Sequence, residues 1–286
     1  MSYLNKKDNQ LHRAIHSRMA NDTPENILSN RRLRVIPIVR DKIGSIEGVA
    51  ADVGCGSGYF SIGLAREFNN LSRIDAIEAS ETAVSDVIPR NIDFFDVTEK
   101  VSPLFGSFDN LCVNTYDYVF AMGALHHSRN LSSTLKSISN SLKIGGYLIA
   151  QEPAMPDETT HDEYDFKYNI IEERHGLQIR NGDRFDRFFR ECEYKTALIH
   201  SGFDIKCWEN FINTESKLTN IRKQLLRMSN HSLNKIYKLI QILGLNNQKN
   251  KNPNDWKLKM RKATLLVKPK LFIARKSNTG KFYHSD

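Results

Sequence analysis

The amino-acid sequence predicts an α/β fold with a mainly parallel sheet and helices on both of its faces, and three observations lead to that prediction. From residue 48 onward, short apolar segments typical of buried strands alternate with helical segments. A glycine-rich turn, residues 54–58, stands between the first of these strands and the next helix. An acidic residue, Glu78, ends the second strand. Strands separated by helices need crossover connections, which make them parallel.

The individual elements follow in a regular order along the chain. Before the sheet, residues 23–26 are typical of a capped helix start, and we expect Pro37 to kink or end that helix. The predicted strands are residues 48–53, 73–78, 91–95, 118–122, 147–150, 203–208 and 270–275. The predicted helices are residues 60–65, a segment that starts near Glu81, and residues 131–142 and 192–200. A turn at residues 143–146 leads into the fifth strand.

The composition is that of an ordinary globular protein, with 40% hydrophobic and 26% charged residues. We expect no signal peptide, because the first 35 residues contain no apolar core segment between a basic start and a small-residue cleavage site. We expect no membrane-spanning helix, because no segment approaches the roughly 20 apolar residues that a span needs. The four cysteines form no C-x-x-C pair, and the nine histidines show no spacing suited to zinc. Reduced thiols, no bound metal and a cytoplasmic location are therefore expected.

The net charge of +8 is unevenly distributed along the chain. Residues 217–286 contain 17 Lys and Arg against two acids, a net charge of +15. The first 216 residues contain the other 24 bases and 31 acids, a net charge of −7. Such a division is compatible with binding to nucleic acid or to an anionic membrane, and equally with a solvated basic face.

The glycine-rich turn carries the strongest chemical signal in the sequence. Glycines allow the backbone to turn sharply and to approach a ligand without a Cβ clash. A dinucleotide site would use G-x-G-x-x-G, but Tyr59 occupies the position of the last glycine, which favours a smaller nucleoside ligand. Glu78 lies 20 residues beyond Gly58, where an acid can accept hydrogen bonds from both hydroxyls of an adenosine ribose.

These residues resemble the class I S-adenosylmethionine (SAM)-dependent methyltransferase family, over roughly residues 45–210 and the last strand. Residues 52–58 match the family's glycine-rich motif, and residues 116–127 and 142–149 are similar to its fourth-strand and fifth-strand motifs. The resemblance implies a Rossmann-like seven-stranded sheet whose seventh strand runs antiparallel between the fifth and sixth. It implies SAM as cofactor, S-adenosylhomocysteine (SAH) as product, and these cofactor-binding residues: Asp52, Gly54, Cys55, Gly56, Gly58, Glu78, Ala79, Asp96, Val97 and Met122.

The sequence departs from the family pattern at two places, which shape the predicted domain organisation. The gap from Asp96 to Asp117 is longer than usual, and about 60 residues separate the sixth and seventh strands. We therefore predict a methyltransferase domain over residues 45–212 and 266–286. Residues 1–44 would form an N-terminal helical cap, residues 153–190 a substrate cap, and residues 213–265 a basic helical insertion.

The candidate catalytic base is His127, just past the fourth strand, where open α/β sheets bind ligands. A structural role for His127 is an open alternative, and weaker candidates for the base are Glu152, His161, His175 and Glu191. The substrate cap offers aromatics for stacking on an acceptor: Tyr164, Phe166, Tyr168, Phe185, Phe188 and Phe189. It also offers arginines for a phosphate or carboxylate: Arg180, Arg184, Arg187 and Arg190.

The basic insertion has an apolar stripe at helical spacing, formed by Leu218, Ile221, Leu225, Met228, Ile236, Ile240 and Leu243. This pattern is typical of a helix on an anionic lipid surface, and also of a hairpin that covers the domain or of a dimer contact. The first functional hypothesis is O-methylation of a small molecule or glycan acceptor, with a sugar at the membrane surface as one case. The alternatives are an RNA methyltransferase and a catalytically silent SAM-binding protein.

Overall fold

The computed structural model of the chain describes residues 24, 30–160, 188–211 and 268–277. Seven strands form one sheet: β1 (Gly48–Val53), β2 (Leu71–Glu78), β3 (Val101–Phe105), β4 (Tyr116–Met122), β5 (Leu142–Ala154), β6 (Phe203–Asn210) and β7 (Lys268–Lys276). Their order across the sheet is β3-β2-β1-β4-β5-β7-β6, and β7 is antiparallel to both of its neighbours. The predicted Rossmann-like fold, including the antiparallel seventh strand, is confirmed.

Helices cover both faces of this sheet. They are α1 (Val35–Ile43), α2 (Tyr59–Glu67), α3 (Ile88–Phe94), α4 (Leu131–Ser141) and α5 (Glu191–His200). Alternate residues of a strand point to opposite faces, so Phe120 and Val119 of β4 enter different apolar clusters. The Phe120 cluster joins the sheet to α1, α2 and α3, and the Val119 cluster joins it to α4 and α5. No helix in the described parts of the chain is long and apolar enough to cross a membrane.

The predicted third strand was wrong. Residues 91–95 lie in or directly after α3, where Ile88, Asn91 and Ile92 are buried at the spacing of one helix face and Phe94 is exposed. Residues 101–105 form the strand instead, and this explains the long gap before Asp117. Consequently Asp96 and Val97 precede β3, at the amino edge of the sheet, and do not follow it.

Pro103 lies in the middle of β3, a segment in which the sequence pattern predicts no strand. The carbonyl of Lys100 accepts from Ile74 of β2, and the N–H of Gly106 donates to the carbonyl of Glu78. The direction of the backbone N–H and C=O groups alternates along a strand. The backbone groups of the even-numbered residues in this segment therefore point toward β2, and those of Pro103 point away from it. β3 is the edge strand of the sheet, so the proline costs no ladder hydrogen bond.

Two smaller expectations also differ from the structure. Pro37 neither kinks nor ends its helix, because α1 begins at Val35 and places Pro37 in the first turn, where N–H groups have no intrahelical acceptor. The turn expected at residues 143–146 is part of β5. There the register against β4 slips between the Tyr116–Leu142 and Tyr118–Tyr147 pairs.

Candidate active site

The candidate site lies at the carboxyl edge of the parallel strands. β1 ends in the glycine turn, β2 ends at Glu78, β4 ends beside Gly123, and Glu152 lies near the end of β5. β1 is hydrogen-bonded to β2 on one side and to β4 on the other, so these segments are neighbours in space. Ligands of open α/β sheets bind at this edge.

The glycine turn follows a path that side chains would obstruct. Gly54, Gly56 and Gly58 have φ angles of 68°, 62° and 79°, in the region that favours glycine. A Cβ on Gly54 would lie 2.8 Å from the Cβ of Ala124, across the sheet edge. Gly58 is the N-cap of α2, so the turn delivers the chain directly into the positive end of that helix.

Glu78 folds back onto the glycine turn and is only 8% exposed. Its Oε2 accepts from the N–H of Gly56 at 2.8 Å, and its Oε1 accepts from the N–H of Ala79 at 2.9 Å. Burial raises the pKa of Glu78, and the backbone bonds from Gly56 and Ala79 partly offset this rise. A carboxylate has about four acceptor positions, so Glu78 keeps capacity for ligand hydroxyls.

Asp52, at the end of β1, is 1% exposed and shares the interior of the site with Cys55 and Met122. Ser61 of α2 donates a hydrogen bond to Oδ2 of Asp52 at 2.7 Å. Oδ1 of Asp52 has no hydrogen-bond partner among the described residues. Burial raises the pKa of Asp52 to about 7, against the lowering effect of the Ser61 bonds. An orphaned carboxylate oxygen of this kind is suited to a cationic ligand group.

A guanidinium that the sequence analysis did not single out also reaches this edge. Arg32 belongs to a 3-10 turn, Arg31–Arg34, that precedes α1. Its Nη1 donates to the hydroxyl of Tyr59 at 2.9 Å, and its Nη2 lies against Gly123. Nothing in the local pattern marks Arg32 among its neighbouring arginines, because its role depends on the tertiary position of the turn.

Together these groups fit a nucleoside that is joined to an amino acid. Glu78 supplies acceptors suited to ribose hydroxyls, the glycine turn leaves room for close backbone approach, and Asp52 offers a free carboxylate oxygen. SAM combines an adenosine with a methionine moiety, so the residues present fit the cofactor that the resemblance implies. Asp96 and Val97 do not join this group, because they lie at the opposite edge of the sheet.

Glu152 organises the segment after β4 and is fully buried. Its Oε1 accepts from the N–H groups of Ala124 and Leu125, at 2.7 and 2.8 Å. Its Oε2 accepts from the backbone N–H of His126 at 3.3 Å and lies 2.8 Å from His126 Nδ1. All four acceptor positions of the carboxylate are thus engaged, so Glu152 is a holder of this turn and not a free base.

The two histidines of the turn Leu125–His127 lie against each other, with ring centroids 3.9 Å apart. His127 lies near Glu78, close enough to contribute electrostatically to lowering the pKa of that carboxyl, whose largest shift is the rise caused by burial. His126 is on the side of Phe188, whose ring stacks parallel to it at 6.2 Å. The structure therefore brings a second histidine, which sequence analysis did not single out, next to the predicted base.

The remaining candidates have structural partners or lie outside the described residues. Glu191 pairs with Nζ of Lys270 at 2.6 Å and accepts from the indole N–H of Trp208 at 2.9 Å. Arg190 donates to the carbonyl of Thr159. The candidates outside the described residues are His161, His175, Tyr164, Phe166, Tyr168, Phe185, Arg180, Arg184 and Arg187. Among the described residues, no group of three or more His, Cys, Asp or Glu could hold a metal ion.

The chain is similar to known methyltransferases in sequence and in fold. Residues 51–148 match the family described as "Methyltransferase domain". A sterol 24-C-methyltransferase from Schizosaccharomyces pombe is 28% identical over 161 residues, 54% of this chain and 39% of the relative. A tRNA U34 carboxymethyltransferase from Helicobacter acinonychis is 27% identical over 116 residues, 39% of this chain and 43% of the relative. The chain thus spans less than half the length of these curated relatives.

A solved structure extends the similarity to nearly the whole fold. Geranyl diphosphate C-methyltransferase from Streptomyces coelicolor A3(2), in complex with Mg²⁺, geranyl diphosphate and SAH, superposes with a TM-score of 0.57. The alignment covers 84% of this chain and 76% of that one, with 12% sequence identity. At this identity the likeness is one of fold.

Proposed function

We propose that this chain, which belongs to the class I SAM-dependent methyltransferase family, transfers a methyl group from SAM to an oxygen of a small-molecule or glycan acceptor. The observation that supports cofactor use best is the pairing of Glu78 with the glycine turn beside the orphaned oxygen of Asp52. When bound, SAM supplies an electrophilic methyl carbon on a sulfonium. The chain's own residues have to align the acceptor and remove its proton.

The histidine pair supports an acceptor that loses a proton. A carboxylate accepts hydrogen bonds only, so with Glu152 ionised the His126 Nδ1 carries the hydrogen between them and Nε2 is the basic nitrogen. Glu152 thereby fixes one tautomer of His126, as a carboxylate does in a catalytic triad. The proposed base is either His127, which the sequence predicts, or His126 beside Phe188.

Two other acceptor classes have specific support. The basic segment after residue 216 and the similarity to a tRNA-modifying enzyme favour RNA. The similarity to a sterol 24-C-methyltransferase favours an isoprenoid lipid as acceptor. The third hypothesis, a silent SAM-binding protein, would be supported by SAM binding without turnover on any acceptor.

We further propose a cytoplasmic location, with contact to an anionic membrane through residues 216–262.

Cofactor binding is the first test of the proposal. The purified protein should bind SAM and SAH at micromolar concentrations in calorimetry. Glu78→Ala should weaken binding by about 1–3 kcal/mol through lost charged hydrogen bonds. Gly56→Val should abolish binding, because a side chain would enter the turn at a positive φ angle. Unchanged affinity in both variants would contradict the assigned site, and thermal melts of each variant control for folding.

The acceptor needs a separate experiment. Transfer of labelled methyl from SAM should be measured on separated small-molecule, glycan, lipid and RNA fractions of cell extract. Comparison of a deletion strain with its parent, by untargeted metabolite and glycan profiling, would then identify the acceptor that loses its methyl group. Label in a glycan or small-molecule fraction supports the first hypothesis, whereas label only in RNA supports the second.

A further inference from the structure

A cavity of about 520 Å³ lies on the sheet away from the candidate active site. It is bounded by the last turn of α1 and by β5, β7 and β6, through Lys42, Tyr147, Ile273 and Cys207. None of the candidate cofactor residues lines it. Tyr147 pairs with Tyr118, four residues before the end of β4, and a strand rises about 3.3 Å per residue. The cavity is therefore separate from the carboxyl edge, and it has the size of a small-molecule pocket.

The floor of this cavity is apolar. Ile273 is buried in the apolar cluster of Phe120, and Tyr147 and Cys207 pack against the same cluster. Burial, with a smaller contribution from Glu209, raises the pKa of the Cys207 thiol, so the thiol is uncharged near neutral pH. The floor can thus contact an apolar ring or chain, and it carries no negative charge.

The rim of the cavity is cationic. Lys42 and Lys206 lie on it together with one acid, Glu209, which is paired with Lys42. Lys206 has no hydrogen bond or ion pair with another described residue. Arg275 adds a third positive charge, with its guanidinium carbon 5.7 Å from the centre of the Tyr147 ring. Positive charge therefore exceeds negative charge around the cavity, which favours an anionic ligand.

A β-bulge brings Lys206 to this rim. Ile205 pairs with Ala274 and Cys207 pairs with Ile273, so Lys206 is an extra residue without a partner on β7. In a regular strand, neighbouring side chains point to opposite faces of the sheet. The bulge removes this alternation, and both Lys206 and Cys207 line the cavity. A free cation and an apolar floor are thus combined at one site.

We propose that this cavity binds a small organic anion, whose carboxylate or phosphate lies against Lys206 and whose apolar body lies on Tyr147 and Ile273. The inference goes beyond the proposed function, because the cavity lies on a different part of the sheet from the candidate active site. Lys206 selects for anions, and the bound ligand covers Cys207.

The first experiment compares three naphthalene probes that differ in charge. Naphthoate, naphthalenemethanol and naphthylmethylammonium are titrated by calorimetry into the full-length protein. Naphthoate should bind with a dissociation constant below about 1 mM, and at least about tenfold more tightly than the alcohol or the ammonium. Naphthyl phosphate and decanoate are measured beside it, to distinguish phosphate from carboxylate and a ring from an acyl chain. Binding of none of the three anions, or equal binding of the ammonium, would overturn the proposal.

A lysine substitution tests the rim. Lys206→Gln should weaken naphthoate binding about 3- to 10-fold, a modest factor because the rim is open to solvent, and should leave the alcohol unaffected. Lys268→Gln, at an exposed lysine of β7 outside the cavity, is the matched control and should bind naphthoate like the wild type. Equal losses in the two variants would overturn the role of Lys206. Thermal melts confirm that both variants are folded.

Cysteine alkylation locates the bound probe in the unmodified protein. Cys207 lines the cavity, whereas Cys112 and Cys192 are exposed elsewhere and serve as internal controls. At ten times its dissociation constant, naphthoate should slow the reaction of Cys207 with N-ethylmaleimide about tenfold and leave the two controls unchanged, as measured by peptide mass spectrometry. Naphthoate binding without protection of Cys207 would overturn the assigned site.

SAH separates this inference from the proposed function. SAH should not protect Cys207, and its affinity should be the same in wild type, Lys206→Gln and Lys268→Gln. Protection of Cys207 by SAH would assign the cavity to the cofactor and overturn the inference. A protein that binds SAH but none of the anions would overturn the inference alone, whereas one that binds naphthoate but not SAH would overturn the proposed function alone.

Discussion

At the scale of single residues, Asp52 lowers the stability of the ligand-free fold and offers a free acceptor to a ligand. The side chain is fully enclosed, and one of its oxygens has no hydrogen-bond partner among the described residues. Burial raises its pKa from 3.8 to about 7. A shift of this size corresponds to a cost on the order of 4 kcal/mol for ionising the group in the folded protein. A cationic ligand group beside the free oxygen would remove part of that cost.

The sign of the pH dependence follows from the raised pKa. The folded protein keeps the Asp52 proton between about pH 4 and 7, where the unfolded chain has already lost it. This contribution to stability is fully present below about pH 4 and is lost as the pH rises through about 7. Asp52→Asn should therefore raise the melting temperature of the ligand-free protein by several degrees at pH 8 and by much less at pH 5.

Thermal unfolding at the two pH values measures this effect directly. Asp41→Asn, at an exposed aspartate of α1, is the control and should show no pH-dependent difference from wild type. Asp52→Asn should also lose most of the rise in melting temperature that SAM produces. An equal shift of the melting temperature at pH 5 and pH 8 would show that ionisation of Asp52 is not the cause.

Most of the candidate cofactor residues belong to local motifs, so their proximity in the fold could be predicted from the sequence. The glycine turn and Glu78 are marked by spacing relative to strand ends, and the structure brings them within hydrogen-bond distance. Arg32 could not be found in this way, because it arrives from a turn outside the sheet and its neighbours Arg31 and Arg34 have the same side chain. Asp96 was misplaced because its assignment depended on where the third strand lies.

At the scale of elements, the 3-10 turn Leu125–His127 depends on a carboxylate from another strand. Glu152 reaches it from β5 and accepts from three consecutive backbone N–H groups, so the turn is set by β5 as much as by its own sequence. The same carboxylate holds the ring of His126 at 2.8 Å. The orientation of both histidines is therefore coupled to one buried side chain.

Glu152→Gln tests that coupling. The amide keeps the shape of the carboxyl group but turns one acceptor into an N–H donor, which would face donors of the turn. The free energy of unfolding should fall by about 2–4 kcal/mol, as when buried hydrogen bonds are lost and a donor is left unsatisfied. Chemical denaturation measures this change, with the exposed Glu158→Gln as control. Equal stability of the two variants would mean that Glu152 does not hold the turn.

Element boundaries were predicted least well where a segment fits two periodicities. Residues 91–95 alternate well enough for a strand, but Pro89 and the buried positions Ile88 and Ile92 belong to a helix. The true β3 contains Pro103, which argues against a strand unless the strand lies at an edge with that residue facing outward. Neither fact can be known before the strand order is known, so a local pattern could not decide between them.

At the scale of the whole molecule, the uneven charge is partly explained by the sheet. Of the 17 bases after residue 216, four lie in β7: Lys268, Lys270, Arg275 and Lys276. Lys270 pairs with Glu191, and Arg275 and Lys276 donate to backbone carbonyls near the start of β5. Twelve of the other bases lie in residues 217–267 with one acid, and these residues are outside the described part of the chain. The unexplained positive charge thus belongs to the predicted basic insertion.

We predict that residues 216–262 hold the protein against an anionic membrane. Each basic residue near such a surface contributes on the order of 1 kcal/mol, and salt screens the attraction. Binding to anionic liposomes should therefore be strong at low salt, weak at high salt and absent on neutral lipid. Replacing Lys223, Arg227, Lys235 and Lys238 with glutamine should release the protein without changing SAM affinity, in a liposome co-sedimentation assay.

A matched control separates local charge from net charge. Replacing four exposed bases outside the insertion (Arg31, Arg40, Arg129 and Lys206) with glutamine removes the same total charge and should leave liposome binding intact. An equal loss of liposome binding in both quadruple variants would show that only the net charge matters.

Structured RNA would compete for the same surface, so RNA binding must be measured beside liposome binding. Salt-sensitive RNA binding without lipid binding would favour the RNA hypothesis, and binding to neither would leave the insertion as a cap or a dimer contact.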